Sequence, residues 1–388
     1  MKNLLKVILP FVLMAGCYST IDKSKPEKAI ADSLVNYPPT PPKVSESEFK
    51  RYYRAAQEFY ESQLERSHFN GEFLVAKNGQ VVYEKNAGFT RLQTKDSMSV
   101  HSSLQLASVS KTFTGMAIMK LWEEGKLQLS DEVSVYLPGF PYKDVTIRTL
   151  LNHRSGLPNY VHVMELYGWN RNKIATNQDV LKFLIDNKNK LQAGAPNRGF
   201  SYCNTNYALL ALVIEKISGV PYPQFMQETF FMPLQMNDTY VFTMSDSSRS
   251  IPSYNWRGRQ EVFTFLDAVY GDKNVFSTAQ DMLKWDNALV YGNLFKPATL
   301  DSCYLGYSHE KPGIKNYGLG WRMLDYPTGE KIIYHNGWWH GSNTVFARLL
   351  QDSATIIILG NKFNRNIYHA KQLFPVFGKY ETDEDTEE

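Results

Sequence analysis

A serine hydroxyl becomes a nucleophile only when a neighbour takes its proton. Ser108 and Lys111 stand three residues apart at the start of a run, Ser108 to Glu123, that reads as a helix. Phe113, Met116, Ala117, Met119 and Leu121 make that run strongly apolar. Helical spacing places the hydroxyl and the amine on one face, about one turn apart. A lysine held out of water in such a place can act as a base. The helix start also offers backbone donors and partial positive charge to a forming oxyanion. Ser-x-x-Lys recurs at Ser47/Lys50 and at Ser308/Lys311. The first lies in a polar helix start and the second in a polar loop before Pro312. Only Ser108 opens an apolar helix, where a buried lysine needs a functional reason.

Two further stretches carry polar residues at chemically useful spacing. Tyr202-Cys203-Asn204 stands just before a helical pattern from Tyr207 to Ile217. Tyr-x-Asn also occurs at Tyr291 and Tyr334, so position before the helix is what selects Tyr202. Tyr334-His335-Asn336-Gly337-Trp338 lies in the strand-rich last third. Imidazole can donate a hydrogen bond or carry charge near neutral pH, but it is not a permanent cation. Gly337 lets a backbone approach a ligand closely.

Leu106-Ala107-Ser108-Val109-Ser110-Lys111-Thr112-Phe113-Thr114 resembles the nucleophile motif of the penicillin-recognising serine hydrolases. That family spans serine β-lactamases, D-Ala-D-Ala carboxypeptidases, D-aminopeptidases and esterases, and the pattern is most like its class C β-lactamase branch. Further matches follow in order: Gly125-Lys126-Leu127 with Leu129-Ser130-Asp131, then Thr146 to Leu151, then His153-Arg154-Ser155-Gly156-Leu157. Gly271 to Thr278 matches a segment that lines the cleft, with Asn274 where the family usually has glycine; Asn tolerates left-handed backbone. Tyr317-Gly318-Leu319-Gly320-Trp321 matches the strand before His-x-Gly. The resemblance covers roughly residues 70 to 362.

The resemblance implies roles. Ser108 attacks, Lys111 and Tyr202 move the proton, and Asn204 binds the substrate amide and positions Lys111. His335 and Gly337 replace the Lys-Thr-Gly strand of the β-lactamases, as in the esterase and D-aminopeptidase branches. The main-chain N–H groups of Ser108 and Trp338 hold the oxyanion. His153 and His340 are read as structural or surface residues. The implied reaction is hydrolysis of an ester or a D-amino-acid-type amide through an acyl-enzyme, with no cofactor. Alternatives are a β-lactamase or D-Ala-D-Ala carboxypeptidase, and a penicillin-binding or sensing lipoprotein without turnover. No CxxC pair or HExxH motif is present, so a zinc site is not indicated.

The elements that must position these residues form an α+β pattern. Ser45-Glu46-Ser47-Glu48 reads as a capping box opening a helix. Phe73 to Ala76 and Val81 to Tyr83 flank Asn78-Gly79, a hairpin signal. Residues 278 to 290 read as a helix with Thr278 as cap. Strands are expected at Gly320 to Leu324, Lys331 to Tyr334, Thr344 to Leu350 and Thr355 to Leu359, and a helix at Asn366 to Phe374. Strands at both ends with helices between predict one antiparallel sheet built from both chain ends, flanked by helices, with an inserted mainly helical region: the β-lactamase/transpeptidase-like layout.

The chain has 388 residues, a net charge of +3 and no long basic run, so no nucleic-acid partner is indicated. Aromatic residues make up 14%, read first as buried core. Lys2 and Lys6 precede a short apolar run, Val7 to Ala15, too short to span a membrane. Leu13-Met14-Ala15-Gly16-Cys17 resembles a bacterial lipoprotein signal, which implies lipidation at Cys17. The expected plan is a signal over 1–17, a Pro-rich tether over 18–44, a hydrolase domain over 45–380 and an acidic tail over 381–388. The expected location is the cell envelope, lipid-anchored at the periplasmic face or outer membrane, or secreted to the periplasm. The expected partners are a small-molecule or peptide substrate and, through the anchor, a membrane; oligomeric state is left open. Cys203 and Cys303 are read as unpaired thiols.

Overall fold

The computed structural model describes residues 42–380. The signal, Cys17, nearly all of the tether and the acidic tail lie outside the described residues. Among those described, seven strands make one antiparallel sheet in the order β2-β1-β7-β6-β5-β4-β3. They are β1 (Gly71–Lys77), β2 (Gln80–Ala87), β3 (Lys315–Tyr317), β4 (Arg322–Asp325), β5 (Lys331–Trp339), β6 (Ser342–Leu349) and β7 (Ala354–Gly360). The two ends of the chain meet where β1 pairs with β7, from Gly71↔Gly360 to Lys77↔Ala354. The expected layout is therefore the observed one.

Side-chain alternation explains the two-sided core. Phe73 and Val75 point to one face of β1, Leu74 and Ala76 to the other; Ile356 and Ile358 oppose Ile357 and Leu359 on β7. Both faces are covered, so β7 is buried along its whole length and runs apolar from Ile356 to Leu359. Helix α1 (Glu46–Phe59) packs Tyr52, Ala56 and Phe59 on one face, together with the C-terminal helical turns around Ile367 and Phe374. Ser45 and Glu48 form its capping box. Helix α2 (Ser110–Glu123) packs on the opposite face with α5 (Asn204–Ser218) and α6 (Ala279–Val290). Between them lies the helical insertion, including α3 (Tyr160–Leu166) and α4 (Asn177–Asp186).

Asn78 and Gly79 both take positive φ, 53° and 73°, as a tight hairpin requires. Gly219 closes α5 in the left-handed region with φ 76°. β5 runs five residues past its expected end at Tyr334. Its ladder with β6 continues to Trp339↔Ser342 through His335, Asn336 and Gly337, residues that hide the apolar pattern. α5 starts at Asn204 rather than Tyr207, because its first turn is polar. Helices α3 and α4 escape the pattern reading; they span only seven and ten residues. Cys203 and Cys303 are both buried and unpaired, as expected.

One buried ion pair ties helix to sheet. Arg348 on β6 donates to Asp286 on α6 at 2.8 Å, and Thr355 on β7 donates to the same carboxylate at 2.6 Å. Breaking such a pair from one side leaves an uncompensated buried charge, which costs about 3–5 kcal/mol. Arg348→Met is expected to lose that much stability in urea unfolding, whereas a loss under about 1 kcal/mol would show that the pair behaves like a surface one.

Candidate active site

Ser108 sits in a tight turn, Ala107–Val109, that runs directly into α2. The approach is anchored: Leu106 N–H donates to Val275 O at 2.8 Å, and Val275 N–H donates to Ser110 Oγ at 2.9 Å. Ala107 takes a left-handed φ of 47°, which is strained for a residue with a Cβ. Burial of α2 on its whole circumference holds this turn in place. The other two Ser-x-x-Lys pairs have no such setting. Lys50 is exposed and paired with Glu46, and Lys311 is exposed on its loop.

Lys111 is fully buried, and its ammonium meets three acceptors. These are Ser108 Oγ at 3.1 Å, Asn204 Oδ1 at 2.8 Å and the Asp272 carbonyl at 2.7 Å. Each comes from a different segment. The Tyr202–Asn204 arm is extended, with Cys203 at φ −144° and ψ 116°, so Tyr202 and Asn204 fall on the same side. Lys111 Nζ lies 5.0 Å from the centroid of the Tyr202 ring.

The Asp272 carbonyl is delivered by a loop pressed onto α2 and α5. Thr114 Oγ1 donates to Gly271 O at 2.7 Å. A Cβ on Gly271 would fall 2.4 Å from Tyr207 O, and its φ of 93° also requires glycine. Asn274 stands in the left-handed region with φ 77°, as expected for a substitute for glycine. Its side chain adds what glycine lacks, donating to Asp267 O at 2.6 Å and Val269 O at 3.0 Å.

Behind the loop is a buried charge network. Lys273 donates to Tyr160 OH, and Tyr160 donates to Asp272 Oδ2 at 2.9 Å. The Lys273 ammonium also lies 4.7 Å from the Trp339 ring centroid. Burial pushes Lys273 below its ordinary pKa, Asp272 and Asp267 oppose this, and Lys111 adds to it. Trp339 Nε1–H donates to Asp267 Oδ1 at 2.6 Å, and His340 Nε2 lies 3.0 Å from the same oxygen. Burial would raise the Asp267 carboxyl, but the bonds from His340, Trp339 and Thr264 outweigh it and hold it low.

The third arm is β5. A Cβ on Gly337 would fall 2.2 Å from Thr344 Oγ1, 2.4 Å from Leu106 O and 3.1 Å from Ser108 N. Only glycine lets this strand lie against the nucleophile's own amide. Trp338 follows on the opposite side of the pleat: its side chain is 65% exposed and packs near Phe363. Any part Trp338 plays at the site therefore falls to its main chain.

His335 departs from the sequence reading. It is fully buried, and its Nδ1–H donates to the Asn336 carbonyl at 2.7 Å. That fixes Nε2 as an acceptor, 3.3 Å from Tyr317 OH. Burial lowers its pKa well below the usual histidine value, and the charges of Arg322 and Lys111 lower it further. His335 is thus a neutral residue, not a carrier of charge near neutral pH. The cation on this side is Arg322 of β4, half-buried, with its guanidinium 5.3 Å from the Tyr202 ring centroid.

The structure brings Ser108, Lys111, Tyr202 and Asn204 together, sets Gly337 beside the Ser108 amide, and joins His335 to the group through rings, its centroid 6.2 Å from that of Tyr202. Cys17 lies outside the described residues. Sequence reasoning missed Arg322, Tyr160 and the Asp272–Lys273 pair. Asp272 and Lys273 lie inside a quoted segment, where two adjacent opposite charges before the apolar Val275-Phe276 were the available signal. Arg322 directly follows the quoted Tyr317–Trp321 stretch. Of the two readings of His153, structural or surface, the structure gives the first: it is fully buried in the site's aromatic wall, 4.3 Å from Tyr202 between ring centroids.

His153 is also fully buried, and burial, followed by the charges of Lys111 and Arg322, lowers its pKa well below the usual value. Both imidazoles take up protons more readily in the unfolded chain, whose histidines titrate near about 6.5. Protonation therefore favours unfolding as pH falls below that value, and this contribution is flat above it. The melting temperature is expected to rise from pH 5 to pH 7, and His335→Asn is expected to flatten the slope. An unchanged slope in that variant would contradict the neutral assignment.

The Beta-lactamase family profile matches residues 56–373. Penicillin-binding protein 4* of Bacillus subtilis is 34% identical over 322 residues, spanning 79% of this chain and 71% of that protein. A penicillin-binding protein from Bacillus halodurans superposes with a TM-score of 0.71 at 22% identity, over 82% of this chain and 99% of that one. The D-amino acid amidase of Ochrobactrum anthropi SV3, solved with L-phenylalanine amide, gives 0.69 at 21% identity, over 84% and 98%. Ordered motifs, one antiparallel sheet from both chain ends and a profile match across most of its length place this chain in the beta-lactamase family of penicillin-binding-like serine hydrolases.

Proposed function

We propose that the protein hydrolyses an ester or a D-amino-acid-type amide through an acyl-enzyme on Ser108, in the cell envelope. The observation that carries this is the threefold setting of Lys111. In the amine form, two N–H groups stay on Asn204 Oδ1 and Asp272 O, and the remaining position, the lone pair, faces Ser108 Oγ–H. Lys111 then takes the hydroxyl proton as Oγ attacks the carbonyl carbon. The Tyr202 phenol, beside the Lys111 amine, relays that proton to the leaving group. The oxyanion lies between the main-chain N–H groups of Ser108 and Trp338, beside Gly337. Water, activated by the same base pair, then attacks the acyl carbon and frees Ser108.

His335 in place of a lysine argues against efficient β-lactam turnover, and its neutrality strengthens that argument. Arg322 supplies the permanent cation instead. Its positive charge beside the Tyr202 ring suits a substrate with an anionic end on this side of the site. The apolar run and Cys17 near the start of the chain support export and lipid anchoring.

Ser108→Ala is expected to abolish labelling by a fluorophosphonate, read by intact mass, and to lower ester turnover at least about a thousandfold; unchanged labelling would remove Ser108 from its role. Turnover of a chromogenic cephalosporin as fast as that of p-nitrophenyl acetate would favour the β-lactamase reading. Arg322→Gln is expected to raise KM about tenfold for a substrate ending in a carboxylate and to spare its carboxamide counterpart. Equal effects on both would take anion recognition away from Arg322.

A further inference from the structure

The Tyr202–Asn204 arm has only one extended residue, Cys203, to aim two side chains at one lysine. What holds that residue is His153. The Cys203 N–H donates to His153 Nδ1 at 3.2 Å. A backbone N–H can only donate, so Nδ1 carries the lone pair and the neutral ring carries its hydrogen on Nε2. Asn206 Nδ2 approaches the same Nδ1 at 3.2 Å, and Ser155 Oγ donates to Asn206 Oδ1 at 2.7 Å, which orients the amide to match.

The ring is also a packing surface. Its centroid lies 4.3 Å from Tyr202, 4.9 Å from Tyr317 and 5.1 Å from Tyr207. The remaining nitrogen, Nε2, is buried and meets no hydrogen-bond acceptor among the described residues. An orphaned buried N–H is costly and rare. The backbone at His153 is left-handed as well, with φ 56°. Two local costs at one buried residue, directly under the proposed proton-relaying phenol, point to a purpose that packing alone does not supply.

We propose that His153 is the positioning residue of the Tyr202–Asn204 arm, its Nδ1 pinning the Cys203 amide and its ring setting the Tyr202 phenol against Lys111. The inference rests on the acyl-enzyme reading above. It acts through Tyr202 and Asn204, so its loss is felt in the proton-transfer step rather than in substrate capture. Misplacing a catalytic group by about 1 Å can cost on the order of a hundredfold in rate.

The test is a double-mutant cycle read with p-nitrophenyl acetate and with the rate of fluorophosphonate labelling at Ser108. His153→Phe keeps a ring but removes the acceptor; it is expected to lower kcat roughly ten- to a hundredfold with KM changed less than about twofold. His153→Asn keeps an acceptor at the Nδ1 position and tolerates positive φ; it is expected to retain most of kcat even if the phenylalanine variant folds poorly. In a Tyr202→Phe background, His153→Phe is expected to lower the labelling rate clearly less than in the wild type, the remaining loss being the part that acts through Asn204. Equal losses in both backgrounds, a change confined to KM, or an asparagine variant no better than the phenylalanine one would overturn the inference. A wild-type protein that is not labelled at Ser108 would overturn the acyl-enzyme reading, and the inference with it.

Discussion

The structure is arranged around one buried ammonium. Taking a lysine out of water costs several kcal/mol unless each of its hydrogens finds an acceptor. Lys111 finds three, and no two come from the same stretch of chain. That requirement reaches far from the lysine. It sets the close approach of Gly271 to α5, the left-handed backbone at Asn274 and the extended backbone at Cys203. Gly271 and Asn274 flank the Asp272 carbonyl and Cys203 precedes Asn204; these are the two segments that bring oxygens to the same nitrogen.

The same economy governs the nucleophile. Ala107 spends conformational energy to turn the chain sharply before α2, and Gly337 gives up a side chain so that β5 can lie on that turn. A helix buried on all sides and a strand held by an eight-pair ladder with β6 are rigid enough to maintain both. Reactive groups placed on such elements need little reorganisation when charge develops, which is where preorganised donors contribute most.

Much of this was legible in the residues. The hairpin at Asn78-Gly79, the caps at Ser45 and Thr278, and the sheet from both ends follow from local rules of turn chemistry and periodicity. Motif order selected Ser108 over two other Ser-x-x-Lys pairs, and exposure of Lys50 and Lys311 gives the physical reason. The illegible part is long-range. Nothing near His153 reveals that Cys203, fifty residues on, donates to it, or that Tyr202 packs on its ring. Nothing near Arg322 reveals its neighbour Tyr202. Burial decides whether a histidine is a charge or a neutral acceptor, and burial is a property of the packed fold.

The distribution of charge follows from that last point. A lysine on the His-x-Gly strand would place a strongly hydrated cation there. Here the strand carries a neutral imidazole whose two nitrogens are engaged by Asn336 and Tyr317. The positive charge has moved one strand outward, to Arg322 on β4. Arginine stays protonated across the whole physiological range. The charge of Arg322 is therefore independent of pH in this range, while the fold's own stability is not, because the two buried histidines beside it resist protonation. Under the proposed reaction, loss of activity in mild acid would then follow protonation of the imidazoles packed beside Tyr202, and not a change in the charge of Arg322.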